Sequence, residues 1–501
     1  MKRLNLLLAV LLPVVARADF EKLAYLQIAD MTGLVQAATK AGEFAGYPTL
    51  GMMAGMALAG NPVSSEFGVL REGRSVLAVV YADTAKPVAG VQDFEAHYAF
   101  LCSPLQGKAA YLAAKGGATE DNGVIQVRRE DGEGEPKYDY VAFSEDGQWA
   151  VKADSPEIAR KTLAEIPAAQ RAMAGEAVHV FATEAGFRYM TSFFEMTVQS
   201  LPEKDDSLVS SLNVLKMLAR GEVALRIGDA GLDIQGSVLP VAGSLLDRCG
   251  REPLKDAPFA SAPAGALFAT DVAANCGYAG VTYAEQVKAI EEHFAKYGLK
   301  TDWCVCQATE DAFAWTLDPQ AMLAYFQGEG KEPFSKIDPQ AFMDDLKKLT
   351  SSYGTFKTVE NAPIRKSLSV VGSAVKTTPQ ARFARALPEV AAKSLYCASV
   401  ASIYAFVKAV APTLVGLAKD GERAVLSPML ATLPSAVDGA CASAVWREGD
   451  EHGFMLRVSA DEIRGLAALG NAVFAYAMMR PRQDPPAPDW AEELDDGDND
   501  D

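Results

Sequence analysis

The stretch DYVAFSEDGQWAVKADSPE, residues 139–157, is the part of the chain that most clearly indicates the fold class. Strand-forming residues flank Glu145-Asp146-Gly147, a strong turn signal, so the sequence predicts a β-hairpin. Ser155-Pro156-Glu157 then predicts a helix start, with serine as N-cap, proline at the first helical position and an acid near the positive end of the helix dipole. Hairpins mixed with capped helices indicate an α+β fold, with antiparallel strands and helices packed mainly on one face.

The same pattern recurs in the second half of the chain. Ala374-Val375-Lys376 and Thr378-Pro379 match Ala150-Val151-Lys152 and Ser155-Pro156. Each copy then continues with a strand that enters a helix, a second helix and a closing strand pair. We therefore predict an internal repeat made of two tandem related domains, residues 19–250 and 251–480. The alternative is that strands and helices alternate by chance, as they do in any α+β chain.

Two further hairpins are expected, one in the earlier part of each copy. One covers Phe67 to Val80 and turns at Glu72-Gly73, and the other covers Asp302 to Leu317 and turns at Glu310-Asp311. In both, strand-like residues flank a turn signal.

The two ends of the chain differ from its body. Lys2 and Arg3 precede an apolar run from Leu4 to Val15, and small residues follow at Ala16-Arg17-Ala18. This pattern predicts a signal peptide over residues 1–18, because the run is shorter than the roughly 20 residues that span a membrane. We expect an exported protein, periplasmic or extracellular. Residues 481–501 combine prolines with nine acids, so they predict a disordered acidic tail.

The charge of the body limits the classes of partner. The chain carries a formal charge of −18; the first 18 residues contribute +3 and the tail from Asp484 onward −9, which leaves −12 for the remainder. An acidic body argues against nucleic acid or anionic lipid as a partner attracted by long-range charge.

The cysteines lie mostly in the second half of the chain. Cys102 stands alone in the first half. Cys304-Val305-Cys306 is too tight for a C-x-x-C redox or zinc motif, and on a strand both thiols would point to the same side. In an oxidising compartment six cysteines could form disulfides of unknown connectivity, and buried free thiols are the alternative. These six are Cys249, Cys276, Cys304, Cys306, Cys397 and Cys441.

Two apolar segments are candidates for contact with a ligand or a membrane. Gly51 and Gly55 form a G-x-x-x-G pattern in a short apolar run, which predicts close packing of a helix or loop within the body. Met52, Met53 and Met56 in that run are candidate binding residues for an apolar ligand. The second segment, Ile463 to Met479, predicts a helix that docks onto the second sheet; a membrane anchor is the alternative, but integral anchoring is not expected at this length.

No catalytic motif accompanies these features. His97, His179, His293 and His452 lack metal-site or triad-like neighbours, and neither a G-x-S-x-G elbow nor a P-loop is present. We expect ordinary structural or solvent roles for these histidines, and neither a cofactor nor a metal.

The Trp-containing hairpin followed by Ser155-Pro156-Glu157 resembles large exported bacterial proteins of unknown function. The resemblance extends over most of the chain and assigns no site residues. The preferred hypothesis is an exported, non-enzymatic envelope protein that binds an apolar small molecule or a protein partner through its duplicated domains. The alternative is a hydrolase whose acidic site is assembled from dispersed Asp and Glu residues.

Overall fold

The computed structural model describes residues 20–479 with gaps. The gaps are 60–61, 85, 87–89, 116–117, 129–136, 172, 174, 202–205, 255, 261, 263–264, 274–276, 279–282, 302–303, 309–311, 318, 352–355, 358–364, 368–376, 419 and 435–437. The predicted signal peptide and acidic tail lie outside the described residues.

The described strands are numbered in chain order. They are Phe20–Ile28 (β1), Val76–Asp83 (β2), Ala96–Cys102 (β3), Thr119–Asp121 (β4), Val124–Arg128 (β5), Tyr138–Phe143 (β6), Ala150–Ala153 (β7), Glu176–Ala182 (β8), Leu218–Gly228 (β9), Gly231–Pro240 (β10), Phe268–Val272 (β11), Gly277–Tyr278 (β12), Cys304–Ala308 (β13), Ala312–Leu317 (β14), Phe356–Lys357 (β15), Arg365–Ser367 (β16), Leu395–Ala401 (β17), Cys441–Glu448 (β18) and Glu451–Ser459 (β19).

The described α-helices are numbered in the same way. They are Met31–Ala45 (α1), Leu50–Ala59 (α2), Pro62–Phe67 (α3), Lys108–Ala114 (α4), Pro156–Leu163 (α5), Ile166–Ala169 (α6), Glu184–Ser200 (α7), Asp206–Leu215 (α8), Leu245–Arg248 (α9), Tyr283–Lys296 (α10), Pro319–Gln327 (α11), Lys331–Ser335 (α12), Pro339–Ser351 (α13), Pro379–Ala386 (α14), Ile403–Leu417 (α15), Asp420–Thr432 (α16) and Ala460–Met479 (α17).

The hairpin and the capped helix predicted from residues 139–157 are both present. β6 and β7 pair antiparallel, and Gly147 takes the left-handed conformation in the turn between them, with φ of 66°. Ser155 caps α5 by accepting a hydrogen bond from the backbone N–H of Ile158 at 3.2 Å. In the second half Thr378 caps α14 in the same way, at 3.2 Å from the N–H of Ala381. The predicted hairpin before it falls on residues 368–376, outside the described part.

Seventeen of the described strands form one sheet, and this confirms the α+β fold class. The strands lie in the order β4-β5-β6-β7-β3-β2-β1-β8-β9-β10-β19-β18-β17-β11-β16-β14-β13. Neighbouring strands are antiparallel apart from the parallel pair β14–β16. The hairpin expected from Asp302 to Leu317 corresponds to β13 and β14.

The two halves of the chain meet in the middle of this sheet. β10 pairs antiparallel with β19, from Gly231 opposite Ser459 to Val238 opposite His452. Counted towards the β10–β19 pair, four strands of the first half lie in the order β1-β8-β9-β10. Four strands of the second half lie in the order β11-β17-β18-β19. The two halves share this strand order, and the internal repeat itself stays a prediction. The division into domains at residues 250 and 251 stays a prediction.

A buried ion pair crosses the junction between the halves. The Arg457 side chain on β19 is only 8% exposed, and its guanidinium donates to Asp233 on β10 at 2.7 Å. The same group donates to the carbonyl of Ala386 at 2.7 Å and to Glu389 at 3.1 Å. These bonds connect β10 with the segment after α14, so both halves contribute to one buried polar cluster.

Helices cover both faces of the sheet in the first half, where the sequence analysis expected mainly one covered face. Leu101 packs with Ile158 of α5 on one face. The next residue, Cys102, packs with Phe67 of α3 and Tyr111 of α4 on the other face. A strand buried on both faces is apolar at successive positions, so its sequence lacks the alternation of apolar and polar residues that marks one exposed face. The sequence therefore did not reveal that both faces are covered.

The hairpin predicted for Phe67 to Val80 is wrong. Phe67 is the last residue of α3 and is not part of a strand. The strand β2 pairs with β1, which is distant in sequence, and with β3, which follows after a long connection. The turn signal at Glu72-Gly73 instead forms a turn before β2 begins.

The last helix, α17, follows β19 and packs against β10, β19 and α1. The guanidinium group of Arg464 on α17 lies over the ring of Phe44 on α1, 5.4 Å from the ring centroid. Among the described helices, none combines the length and apolar character needed to cross a bilayer.

Candidate functional site

A cavity, called the large cavity below, lies at the edge of the sheet where β1 and β9 end and β8 begins. It measures about 820 Å³ and lies between one side of α1, the turn before β2, the segment 169–176 and the β9–β10 turn. Asp30 connects two of these walls, because its carboxylate caps α1 through Gly33 N–H at 2.8 Å and also accepts from Gly73 N–H at 2.7 Å. A cavity of this size is typical of small-molecule sites.

Another pair of walls is fastened by buried polar side chains. The Gln27 amide donates to Ser75 Oγ at 2.9 Å and to the carbonyl of Arg171 at 3.1 Å. Ser75 Oγ donates in turn to the carbonyl of Ala169 at 2.7 Å. The backbones that carry Arg74 and Arg171 are therefore neighbours across the cavity wall.

One end of the cavity is lined by Arg171 and by Glu176, a carboxylate that also binds Arg226 outside the lining. Glu176 on β8 is opposite Arg226 on β9 in the strand register, and its side chain is 2% exposed. Its two oxygens accept from Arg226 at 2.9 Å and from Arg171 at 3.0 Å. Burial alone would raise the pKa of Glu176, but the hydrogen bonds from both arginines outweigh burial and lower it. Glu176 is therefore ionised and anchors both arginines. The cluster of one carboxylate and two guanidinium groups carries one positive charge in excess.

Exposed charges form another part of the same cavity. Lys40 on α1 pairs with Asp229 at 2.6 Å and with Glu43 at 3.2 Å. The hydrogen bond from Lys40 lowers the pKa of Asp229. Arg74 lines the cavity with its guanidinium 5.7 Å from the ring centre of Trp149, and within the described residues no carboxylate forms an ion pair with it.

A smaller cavity of about 250 Å³ adjoins this one on the sheet face, and both are lined by Arg171 and Glu176. His179 lies in its wall with 2% exposure, and its Nε2 is 3.3 Å from Glu222 Oε2. The other ring nitrogen, Nδ1, is buried and has no hydrogen-bond partner in the described part of the chain. The expectation of an ordinary structural role for His179 did not anticipate a position at a cavity.

Cationic neighbours hold Glu176 and Asp229 of the large cavity as ionised carboxylates. An acid catalyst at neutral pH needs a raised pKa, as in a carboxyl group buried without a cation. Where a shift is resolved in the large cavity, for Glu176 and Asp229, the pKa is lowered. Burial does raise the pKa of Glu462, but that carboxylate accepts from the backbone N–H of Tyr404 at 2.7 Å at the start of α15.

Within the described ranges, no three His, Cys, Asp or Glu side chains come together as metal ligands would.

The three methionines proposed from the sequence lie on the outer side of α2. Met52, Met53 and Met56 are 61%, 55% and 63% exposed. The opposite side of this helix carries Gly51 and Gly55, which face Thr39 and Val35 of α1. Close packing through the G-x-x-x-G pattern thus turns the methionines outward.

Exposed apolar residues of α17 extend this surface. Tyr47, just before α2, donates its hydroxyl to Asn471 Oδ1 of α17 at 2.6 Å, which brings the two segments together. Large apolar side chains are exposed on both sides of this contact, and together we name them the Met–Phe surface. Its members are Tyr47, Leu50, Met52, Met53, Met56, Val473, Phe474 and Met478.

A mostly apolar cavity of about 250 Å³ lies between the sheet and the helices that follow β1. Its wall includes Leu26, Val76 and Phe100. This volume is below the roughly 300–1,000 Å³ usual for small-molecule sites.

The predicted disulfides receive no support at the cysteines whose side chains are described. Cys441 has a free thiol, as does Cys102, which was expected to be unpaired. The Cys249 thiol is buried and donates to the carbonyl of Leu245 at 3.4 Å, and it packs in one apolar cluster with Cys397. Cys276 lies outside the described residues. Cys304 and Cys306 lie on β13, as the strand prediction required.

The sequence did not predict the residues of the large cavity, nor Arg226, which binds Glu176 from outside the cavity lining. Arg171 and Glu176 come from one segment, but Arg226 is 50 residues away from Glu176 in the chain and Arg74 is farther. No motif spacing relates them. The β8–β9 pairing is the signal that would have placed Glu176 beside Arg226.

Comparisons with known proteins found no relative. No protein-family model, no curated protein and no solved structure matches this chain. The fold and the site define an α+β protein with a charged cavity at the strand edge and an exposed apolar helix surface.

Proposed function

We propose that this chain is an exported, non-enzymatic envelope protein that binds a protein partner through the Met–Phe surface. The observation that carries the proposal is the exposure of eight large apolar side chains on two segments joined by the Tyr47–Asn471 hydrogen bond. Groups of large exposed apolar side chains are typical of interaction sites. Methionine suits such a surface because its unbranched, polarisable side chain adapts to a partner's shape.

A protein partner fits this surface better than an apolar small molecule. The methionines project from the outer side of α2, and a convex helix face is recognised by a groove on another protein. The apolar cavity behind the sheet, at about 250 Å³, is small for a ligand. The export half of the proposal rests on the pattern of residues 1–18.

The charge state of the cavity carboxylates supports binding over hydrolysis. Glu176 and Asp229 both have lowered pKa values because cationic side chains donate hydrogen bonds to them. Carboxylates held ionised in this way suit recognition and do not supply a proton to a leaving group.

The test replaces Met52, Met53 and Met56 together by serine. The control is Met343→Ser, because Met343 on α13 is exposed to a similar extent, 56%. Full burial of a methionine contributes roughly 1.5–3 kcal/mol, so we expect the triple variant to lose at least tenfold in affinity for its partner.

The measurement is quantitative recovery of proteins bound to the wild type, the triple variant and the control from the native extracellular or periplasmic fraction. The proposal expects a protein retained by the wild type and the control and lost with the triple variant. Equal recovery by all three proteins would contradict it. The proposal would also be contradicted if the triple variant lost only self-association, measured by light scattering, because the partner would then be a second copy of the chain. The same holds if it lost only binding to vesicles, measured by flotation, because the partner would then be lipid.

A further inference from the structure

The large cavity has a feature that the Met–Phe surface does not explain. It concentrates arginine side chains at one end of a molecule whose body is acidic. Arg171 and Arg226 share a single carboxylate, Glu176, so one positive charge there is not neutralised. Arg74 adds a second cation without a carboxylate partner among the described residues.

The remaining charges of the cavity are already engaged. Asp30 is held by two backbone N–H groups, at 2.8 and 2.7 Å. Glu43 and Asp229 both pair with Lys40. Within the lining of the large cavity, Arg74 and Arg171 have Glu176 as their one neighbouring ion-pair carboxylate, and the other paired carboxylates lie around Lys40; Glu222, Glu448 and Glu451 line the adjoining cavity. A pair of arginines facing an open cavity is the arrangement that binds a carboxylate or phosphate group through bidentate hydrogen bonds.

Buried polar atoms next to this end lack partners. Nδ1 of His179, in the wall of the adjoining cavity, has none among the described residues. Arg226 Nε, which belongs to a residue outside both cavity linings, is likewise buried without an acceptor among the described residues. Buried polar groups are rarely left without hydrogen bonds, and a bound ligand or water commonly satisfies them.

We propose that the cavity of about 820 Å³ binds a small molecule through a carboxylate or phosphate group placed between Arg74 and Arg171. Glu176 acts as a positioning residue, because its two hydrogen bonds hold Arg171 and Arg226 in fixed orientations. The volume admits a ligand of ordinary metabolite size. This site is independent of the Met–Phe surface, so either proposal can fail alone.

The test uses inorganic phosphate and succinate as separate probes, measured by titration calorimetry and thermal shift at low ionic strength with chloride as the reference salt. We expect one of them to bind the full chain and the affinity to fall as salt is added, because the contact is between charges. Binding of phosphate but not succinate, or the reverse, identifies the anionic group. No binding of either probe up to about 10 mM, the weak end of specific recognition, overturns the proposal.

The variant is Arg74→Gln, which removes a cation without breaking an ion pair of the described residues. We expect at least a tenfold loss of affinity. The control is Arg188→Gln, because Arg188 on α7 is 66% exposed and lies outside the cavity lining, where it forms long surface ion pairs with Glu21 and Glu184. Equal binding by Arg74→Gln and the wild type refutes the assignment.

A second measurement needs no variant. Phenylglyoxal modifies accessible arginines, and peptide mass spectrometry reports each position separately. The bound probe should protect Arg74 and Arg171 and leave Arg188 as reactive as before. Unchanged modification of Arg74 and Arg171 at a saturating probe concentration would overturn the proposal even if Arg74→Gln did not fold.

Discussion

Replacing Gly51 by alanine should destabilise the α1–α2 pair, whereas the same replacement at Gly55 should stabilise it. A β-carbon on Gly51 would overlap Thr39 Oγ1 and lie 3.0 Å from Thr39 Cβ and 3.1 Å from its Cα. Carbon atoms normally approach to about 3.5–4.0 Å, so the helices must separate. Rotating Thr39 does not help, because its hydroxyl donates to the carbonyl of Val35 at 2.7 Å and its Cβ and Cα stay in place.

The magnitude follows from two opposing effects. Overpacking costs about 1–3 kcal/mol, and alanine regains up to about 1 kcal/mol of helix propensity over glycine. We therefore expect Gly51→Ala to lower the stability of this helix pair by about 1–2 kcal/mol. A β-carbon on Gly55 would lie 3.7 Å from Val35 Cγ2, an ordinary contact. For Gly55→Ala only the propensity gain remains, about 0.5–1 kcal/mol.

The assay is hydrogen exchange of the peptides that cover residues 31–59, read as a local free energy of opening, together with urea unfolding of the whole chain. Opposite signs for the two variants are expected. If Gly51→Ala stabilises the segment as much as Gly55→Ala does, the packing of α2 on α1 is refuted, and so is the reason that the methionines face outward.

Three further outcomes test the sheet and its supports. Asp233→Asn removes the carboxylate that pairs with the buried Arg457, and urea unfolding should show a loss of about 3 kcal/mol; a value near zero would contradict the β10–β19 junction. Gly231 has φ of 134°, and a β-carbon there would overlap the carbonyl of Val458, so Gly231→Ala should cost more than about 2 kcal/mol, while Gly228→Ala, which meets nothing within 4 Å, should cost less than about 1. Burial alone would raise the pKa of Glu66, but hydrogen bonds from lysines and a tyrosine lower it from 4.5 to about 2. The folded state thus binds fewer protons than the unfolded state in this window, so stability should fall by up to about 3 kcal/mol as the pH drops from 4.5 towards 2, and Glu66→Gln should flatten that part of a pH titration of unfolding.

Local patterns anticipated much of the fold. The turn at Gly147 and the caps Ser155 and Thr378 are where the sequence predicted them, and a closing strand pair is present in each half as expected. Each depends on residues within a few positions of one another. The Phe67–Val80 hairpin failed because β2 pairs with distant strands, which a turn signal does not reveal.

The candidate sites divide in the same way. Met52, Met53 and Met56 could be identified from the sequence because they are close together and follow Gly51 and Gly55, the glycines that pack inward. Arg74, Arg171 and Arg226 could not, because no spacing rule connects them and an arginine by itself is most often a solvated surface residue.

The sequence alone determined several local elements of this protein: the β6–β7 and β13–β14 hairpins, the proline-capped helices α5 and α14 and the pattern of the apolar G-x-x-x-G run. Hydrogen bonds and backbone preferences within a few residues specify these elements, so one chain segment contains the necessary information. Only the tertiary structure decided that β10 joins β19 in a continuous sheet and that Arg171, Glu176 and Arg226 meet beside Arg74. Those contacts depend on strand order and helix placement, which are set by burial over the whole chain.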